Sequence, residues 1–116
     1  MVKNQNIQDK SFSFAIRIVN LCKYLQSEKK EFVLSKQLLR SGTSVGANVT
    51  EAQQAQSRAD FLSKLNIALK EATETEYWLR LLHATDYLSG GEFDSVYGDC
   101  DELVKILVSS IRTIKN

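Results

Sequence analysis

Proline is absent from the 116-residue chain, and glycine occurs only five times. Both residues punctuate the turns of β proteins, so their scarcity disfavours a fold of many short strands and favours long helices. The chain has no run of eighteen apolar residues that could span a membrane, and its N-terminus lacks the apolar stretch of a signal peptide. We therefore predict a cytoplasmic protein without a membrane partner.

Residues that carry common site chemistries are also few. The single histidine, His83, has Arg80 three residues before it, whereas a di-iron bundle needs a glutamate there. Cys22 and Cys100 are far apart, and each falls within an apolar helical pattern, which predicts buried reduced thiols. No nucleophile elbow, phosphate loop, zinc spacing or nucleotide fingerprint occurs. The sequence therefore predicts a protein that is not an enzyme and holds no metal or cofactor.

Charge is nearly balanced overall but divided unevenly along the chain. Through Arg40, eight basic residues stand against three acidic ones; from Ser41 onward, seven basic residues stand against eleven acidic ones. Such asymmetry marks an interaction face in some proteins. It is equally explained by opposite charges that pair across antiparallel helices.

Apolar residues recur at alternating spacings of four and three residues, which predicts α-helices. The expected helices cover about residues 10–27, 33–54, 58–88 and 92–114 of a single domain, 1–116. Ser57 and Asp60 form the start signal of the third helix, and Ser89, Gly90 and Gly91 are expected to end it. Four helices with short connections predict an all-α, antiparallel up-down-up-down four-helix bundle.

The second helix is the unusual one. Its expected core positions include two polar residues, Ser41 and Asn48, and its small residues Gly42 and Gly46 weaken an isolated helix. Neighbouring helices must hold such a segment in place, and small residues let them approach closely. In the first helix two adjacent apolar rows, one containing Phe12 and the other Phe14, predict a broad apolar face.

The segments QLLRSGTSVGANVTEA and SRADFLSKLNIALKEATETEYWLRLL resemble the four-helix bundle family named for proteins encoded in intervening sequences of bacterial 23S rRNA genes. The resemblance spans about residues 12–107. The matching positions are Gln37, Leu38, Arg40, Ser41, Ser44, Val45, Ala47, Asn48, Val49, Glu51, Phe61, Ala68, Glu71 and Glu74.

This resemblance implies a bundle that assembles into a homopentamer and has no defined reaction. A related branch comprises accessory proteins of diversity-generating retroelements, which bind a reverse transcriptase and nucleic acid. Those proteins are strongly basic, whereas this chain carries a net charge of only +1.

One set of polar residues from the second and third helices suggests a shared network. Its members are Arg40, Ser44, Asn48, Glu51, Glu71 and Glu74. We interpret the set as structural, with Arg40 donating to the glutamates, because buried charges persist only when they are paired. A carboxylate metal site is the alternative, and the lack of a second histidine disfavours it.

Two further surfaces are predicted. Tyr77 and Trp78 lie outside the main apolar row of the third helix and are candidates for an oligomer interface. The candidates for nucleic-acid contact are Lys10, Arg17, Lys36 and Arg40. The expected function is that of a non-enzymatic oligomeric scaffold with weak RNA or DNA binding. The alternative is an accessory subunit whose partner is a protein such as a reverse transcriptase.

Overall fold

The computed structural model describes residues 6–115, which form four α-helices. They are α1 (Ile7–Ser27), α2 (Leu34–Ala52), α3 (Arg58–Ala84) and α4 (Gly90–Lys115). Each helix packs against the next along the chain, and α1 makes a less extensive contact with α4, while the backbones of the diagonal pairs stay apart in residues 6–115. The all-α four-helix bundle predicted from the sequence is confirmed.

Two helix ends differ from the predicted bounds because local hydrogen bonds and backbone conformation set them. The first helix starts at Ile7 rather than near residue 10, because the Asn6 side chain accepts a hydrogen bond from the Asp9 amide at 2.9 Å. The third helix ends at Ala84 rather than near residue 88. Asp86 takes the left-handed conformation there, with φ 71°. The Tyr87 amide donates back to the Leu82 carbonyl and closes the turn.

The glycines expected to end α3 have a different role, since Gly90 and Gly91 are the first residues of α4. Ser89 precedes them as part of a reciprocal cap: its hydroxyl accepts from the Glu92 amide at 3.2 Å, and Glu92 accepts from the Ser89 amide at 2.8 Å. At the start of α3, Ser57 accepts from the Asp60 amide as predicted, but Asp60 accepts from the amide of Gln56.

A buried carboxylate begins α2. Glu31 is only 8% exposed, and its oxygens accept hydrogen bonds from the amides of Val33, Leu34 and Ser35 at 3.2, 2.9 and 2.7 Å. Burial acts to raise the pKa of Glu31, but these amide donors outweigh it and hold the pKa below its ordinary value. The predicted helix bounds placed Glu31 in the connection between the first two helices, and its capping role was not predicted because the carboxylate lies outside the usual N-cap position.

The core row of α1 contains Phe14, Ile18 and Leu25, whereas Phe12 is 68% exposed. The apolar face of α1 is therefore narrower than predicted, since Phe12 lies outside the core although Cys22 of the same row is buried. On α3 the predicted repeat is confirmed from Leu65 to Leu82, and its middle is lined by small residues. The core of α2 contains Val49 at the place where Asn48 was expected.

Helices α1 and α2 pack closely at Gly42 and Gly46. A methyl group added there would lie 2.8 Å from Cγ2 of Ile18, and one at Gly46 would lie 3.3 Å from the Ser11 carbonyl oxygen. Across the next helix pair, the Ser41 and Thr75 hydroxyl oxygens lie 2.9 Å apart and are fully buried. The expected polar seam therefore exists at Ser41 and not at Asn48.

The two helical hairpins differ in length. Helices α3 and α4 have 27 and 26 residues, whereas α1 and α2 have 21 and 19. Lys64 pairs with Glu51, which is next to the last residue of α2, so the first turns of α3 extend beyond the end of α2. The last turn of α4 extends with them, because the Arg58 side chain donates to the Ile114 carbonyl.

Candidate functional site

Arg40 joins α2 to α3 on the surface of the bundle. Its Nη2 lies 2.7 Å from Oε2 of Glu74, and its Nη1 lies 3.9 Å from Oε1 of Glu71. Trp78 donates its indole N–H to the same Glu74 oxygen at 3.0 Å. The Arg40 side chain is 57% exposed, so this cluster is a rim feature and not a buried network.

Glu71 is incompletely satisfied within this cluster. Its Oε1 atom is buried and accepts no hydrogen bond from residues 6–115, because 3.9 Å to Arg40 is too long for one. Two carboxylates therefore share one guanidinium, and one negative charge is left in excess.

The other members of the predicted polar set form separate contacts. The Ser44 hydroxyl donates to the Arg40 carbonyl at 2.7 Å, and the half-buried Asn48 side chain donates to the Ser44 carbonyl at 2.9 Å. Both bonds stay within α2. Glu51 pairs with Lys64 at 3.0 Å, well along the helix from Arg40. The structure thus brings Arg40, Glu71 and Glu74 together and leaves Ser44, Asn48 and Glu51 outside their contact.

Most of the predicted nucleic-acid contacts are occupied within the bundle. Lys10 pairs with Glu102 at 2.9 Å, and Arg17 pairs with Asp99 at 2.5 Å while donating to the Ser95 side chain. These bonds join the basic α1 to the acidic α4, as the charge-pairing interpretation expects. Lys36 is exposed and belongs to no ion pair among the described residues.

The two predicted interface aromatics differ in exposure. Tyr77 is 50% exposed, whereas Trp78 packs against the core and is only partly accessible. Their rings meet edge to face, with centroids 5.0 Å apart.

A second exposed apolar surface lies on α1 and α2, and it was not predicted from the sequence. Phe12 and Ile16 are 68% and 49% exposed. Beside Phe12 runs an open groove of about 450 Å³ whose other walls are mainly small residues, among them Ala15, Gly46 and Ala47. Phe12 and Ile16 are four residues apart on one helix face, which is the signal that could have revealed this surface.

Candidate catalytic and metal-binding chemistry is sparse. Within residues 6–115 no group of three His, Cys, Asp or Glu side chains could hold a metal ion. His83 lies with Nδ1 3.0 Å from the Leu88 carbonyl oxygen and stacks on Phe93. Burial and the nearby Glu31 raise the pKa of the Cys22 thiol to about 12, and burial also raises that of Cys100. Both thiols are therefore unreactive at neutral pH.

No helix in the described part of the chain is long and apolar enough to cross a membrane.

The fold and these surfaces can now be compared with known proteins. The family model described as "23S rRNA-intervening sequence protein" matches residues 3–109. The chain belongs to this family. Among curated proteins, no match to the chain is found.

A solved structure agrees with the family assignment. It is the crystal structure of a protein of unknown function from the S23 ribosomal protein family of Bacteroides thetaiotaomicron. That protein is 61% identical, and the match covers 91% of this chain and 95% of the other, with a TM-score of 0.90. Neither the family description nor this relative points to catalysis.

Proposed function

We propose that this member of the 23S rRNA-intervening sequence protein family is a non-enzymatic scaffold that assembles with copies of itself. One observation carries the proposal: the contiguous apolar surface at Phe12 and Ile16, beside a groove lined by small residues. Exposed apolar side chains that cluster beside a groove are typical of protein–protein contact sites.

The expected assembly is a closed homopentamer in the cytoplasm, which follows from the family resemblance. Light scattering coupled to size exclusion, at micromolar concentration, should give five times the monomer mass of 13.1 kDa. A mass of 13.1 kDa at that concentration would contradict self-association, and another closed number would contradict only the pentamer.

Nucleic-acid binding is a second candidate function, and exposed lysines at one end of the bundle favour it. Lys23, Lys29, Lys30 and Lys36 are exposed and form no ion pair among residues 6–115. Binding through such residues would be weak, indifferent to sequence and lost steeply as salt rises, because it rests on counterion release.

Because Lys10 and Arg17 are paired with acidic residues of α4, a variant of the unpaired Lys36 is the better test of nucleic-acid binding. Replacing Lys36 with Glu should weaken retention on RNA or DNA at low salt, whereas replacing Lys10, which Glu102 already neutralises, should change it little. If instead the Lys10 variant loses more retention than the Lys36 variant, the nucleic-acid contact lies on α1, as predicted from the sequence. If the wild type is not retained even at low salt, the remaining alternative is an accessory subunit whose partner is a protein.

A further inference from the structure

The connection between α1 and α2 exposes two adjacent apolar side chains at one end of the bundle. Phe32 is 51% exposed, and Val33, at 70%, is the most exposed large apolar side chain of residues 6–115. Single exposed apolar residues are common on protein surfaces, whereas neighbouring ones form a patch that a partner can cover. We call this pair, Phe32 and Val33, the apolar tip.

Hydrogen bonds around Glu31 fix the conformation of this connection. The Glu31 amide donates to the Leu25 carbonyl at 3.0 Å, and its carboxylate accepts from the three backbone amides that begin with Val33. Just before it, Lys30 takes the left-handed conformation, with φ 55°. The backbone is therefore anchored directly beside Phe32, and the apolar tip can bind a partner without first becoming ordered.

Exposed lysines surround the apolar tip. They are Lys29 and Lys30 in the connection, Lys23 about one turn before the end of α1, and Lys36 in the first turn of α2. None of the four forms an ion pair among the described residues. Of the two carboxylates in the same stretch, Glu28 is exposed and Glu31 is buried. Four exposed cations thus stand against one exposed anion.

Further acidic residues at this end belong to the neighbouring connection between α3 and α4. Asp86 and Glu92 are exposed there. Hydrogen bonds with Ser89 and the nearby charge of Lys29 hold the pKa of Glu92 below its ordinary value. Lys29 is therefore partly balanced by Glu92, and the positive charge around the apolar tip rests mainly on the other three lysines.

An apolar tip surrounded by lysines is complementary to an anionic lipid surface. Apolar side chains enter the boundary of the acyl layer, while lysines remain at the negatively charged headgroups. The same lysines favour nucleic acid as the second candidate function, but nucleobases stack on planar side chains. Val33 has no planar group and is more exposed than Phe32, so the pair suits lipid better than nucleobases.

We infer that the apolar tip docks this protein on the surface of an anionic membrane, with the surrounding lysines at the lipid headgroups. Such a contact needs no membrane-spanning helix. It goes beyond the proposed scaffold function and does not depend on self-association. It also differs from the sequence-based prediction of no membrane partner, which considered only spanning and targeting segments.

Vesicle flotation at low salt tests the inference. The wild type should float with vesicles of phosphatidylcholine mixed with phosphatidylglycerol, and much less with phosphatidylcholine alone. Replacing both tip residues, Phe32→Ser with Val33→Ser, should lower the partition coefficient by at least about tenfold, because the inserted apolar area is lost. Both residues are exposed, and serine suits the N-cap of α2 that Val33 occupies, so the variant should keep its helical circular dichroism.

A pair of lysine variants tests the electrostatic part with a matched control. Lys36→Gln should lower the partition coefficient about fivefold, since it removes one cation at the headgroups. Lys70→Gln removes the same charge from α3, where Lys70 is also exposed and outside any ion pair of residues 6–115. The Lys70 variant should bind vesicles like the wild type. Equal losses in the two variants would show that only net charge matters and would overturn docking at the tip.

A fluorescent reporter distinguishes lipid from nucleic acid. In Phe32→Trp, the emission that exceeds the wild-type signal of Trp78 should shift to shorter wavelength on anionic vesicles, because the new indole enters an apolar layer. Stacking on nucleobases would instead quench this emission. Quenching by single-stranded RNA or DNA, without a shift on vesicles, assigns the apolar tip to nucleic acid and overturns the inference.

The remaining contrary outcomes are also decisive. A wild type that does not float with anionic vesicles overturns the inference, and so does flotation that the serine variant retains. Self-association is measured separately, by light scattering without vesicles. A monomeric wild type that still binds vesicles through the apolar tip would contradict the proposed scaffold and support the inference.

Discussion

Gly98 and Gly42 both lie inside helices but in opposite surroundings. A methyl group at Gly98 would meet no atom within 4 Å, whereas one at Gly42 would lie 2.8 Å from the buried Ile18 side chain. Gly98→Ala should therefore raise the free energy of unfolding by about 1 kcal/mol, the helix-propensity difference between the two residues. Gly42→Ala should lower it by about 1–3 kcal/mol through overpacking.

Chemical denaturation of the wild type and both variants measures the sign of each change in the free energy of unfolding. A stabilising Gly42→Ala would show that α1 and α2 separate at no cost. A destabilising Gly98→Ala would mean that an exposed helix position needs glycine for a reason other than packing.

Asn48 was predicted to line the core, but the core position belongs to the next residue, Val49. Its side chain is half-buried and donates only within α2, to the Ser44 carbonyl. Asn48→Ala should therefore change the free energy of unfolding by no more than about 0.5 kcal/mol, because the lost local bond is offset by better helix propensity. If chemical denaturation shows that Asn48→Ala lowers the free energy of unfolding by about 1–3 kcal/mol, Asn48 belongs to a buried network as predicted from the sequence.

At the scale of helices, Glu31 determines where α2 begins. Its carboxylate accepts hydrogen bonds from three backbone amides, which hold the pKa of Glu31 below its ordinary value of 4.5. Because the folded pKa is lowered, the stabilisation is fully present above pH 4.5 and is lost as the pH falls through the folded pKa.

Glu31→Gln should lower the free energy of unfolding at pH 7 by about 1–3 kcal/mol, since it removes charge-assisted hydrogen bonds at a helix start. The difference from the wild type should shrink as the pH falls below 4.5. Glu28→Gln is the control, because Glu28 lies in the same connection but is exposed. An unchanged difference across this pH range would show that the charge of Glu31 does not support α2.

Periodicity was sufficient to predict four helices and their order, because each helix has a repeating apolar row. It predicted a broad apolar face on α1 but could not show that Phe12 lies outside the core, since Phe12 and Phe14 are both apolar and only packing selects Phe14. The start of α2 was predicted within one residue, but its Glu31 cap was not. The end of α3 was beyond a pattern, because it depends on the left-handed conformation of Asp86. The contact of Arg40 with Glu71 and Glu74 followed from helix spacing, but the ion pairs of Lys10 and Arg17 required the position of α4.

For the whole molecule, self-association should appear in thermal stability. If folded copies bind one another and unfolded chains do not, the midpoint Tm rises with protein concentration. We expect a rising Tm for the wild type between low and high micromolar concentration, and a constant Tm for Phe12→Glu. Scanning calorimetry over that range provides the measurement, and a Tm independent of concentration for the wild type would contradict a binding equilibrium in that range.

The unequal hairpins described above imply unequal resistance to proteolysis. The last turn of α4 and the first turn of α3 extend beyond the end of α2, so they have fewer neighbouring helices than the middle of the bundle. Local opening there exposes few apolar groups, so it costs much less than opening the middle of the bundle. Among the arginines within helices, trypsin should therefore cut after Arg112 before it cuts after Arg17 or Arg80, which lie within the four-helix section. Cleavage at Arg112 would remove only the end of α4, and the surface at Phe12 and Ile16 would remain on the resistant part of the bundle.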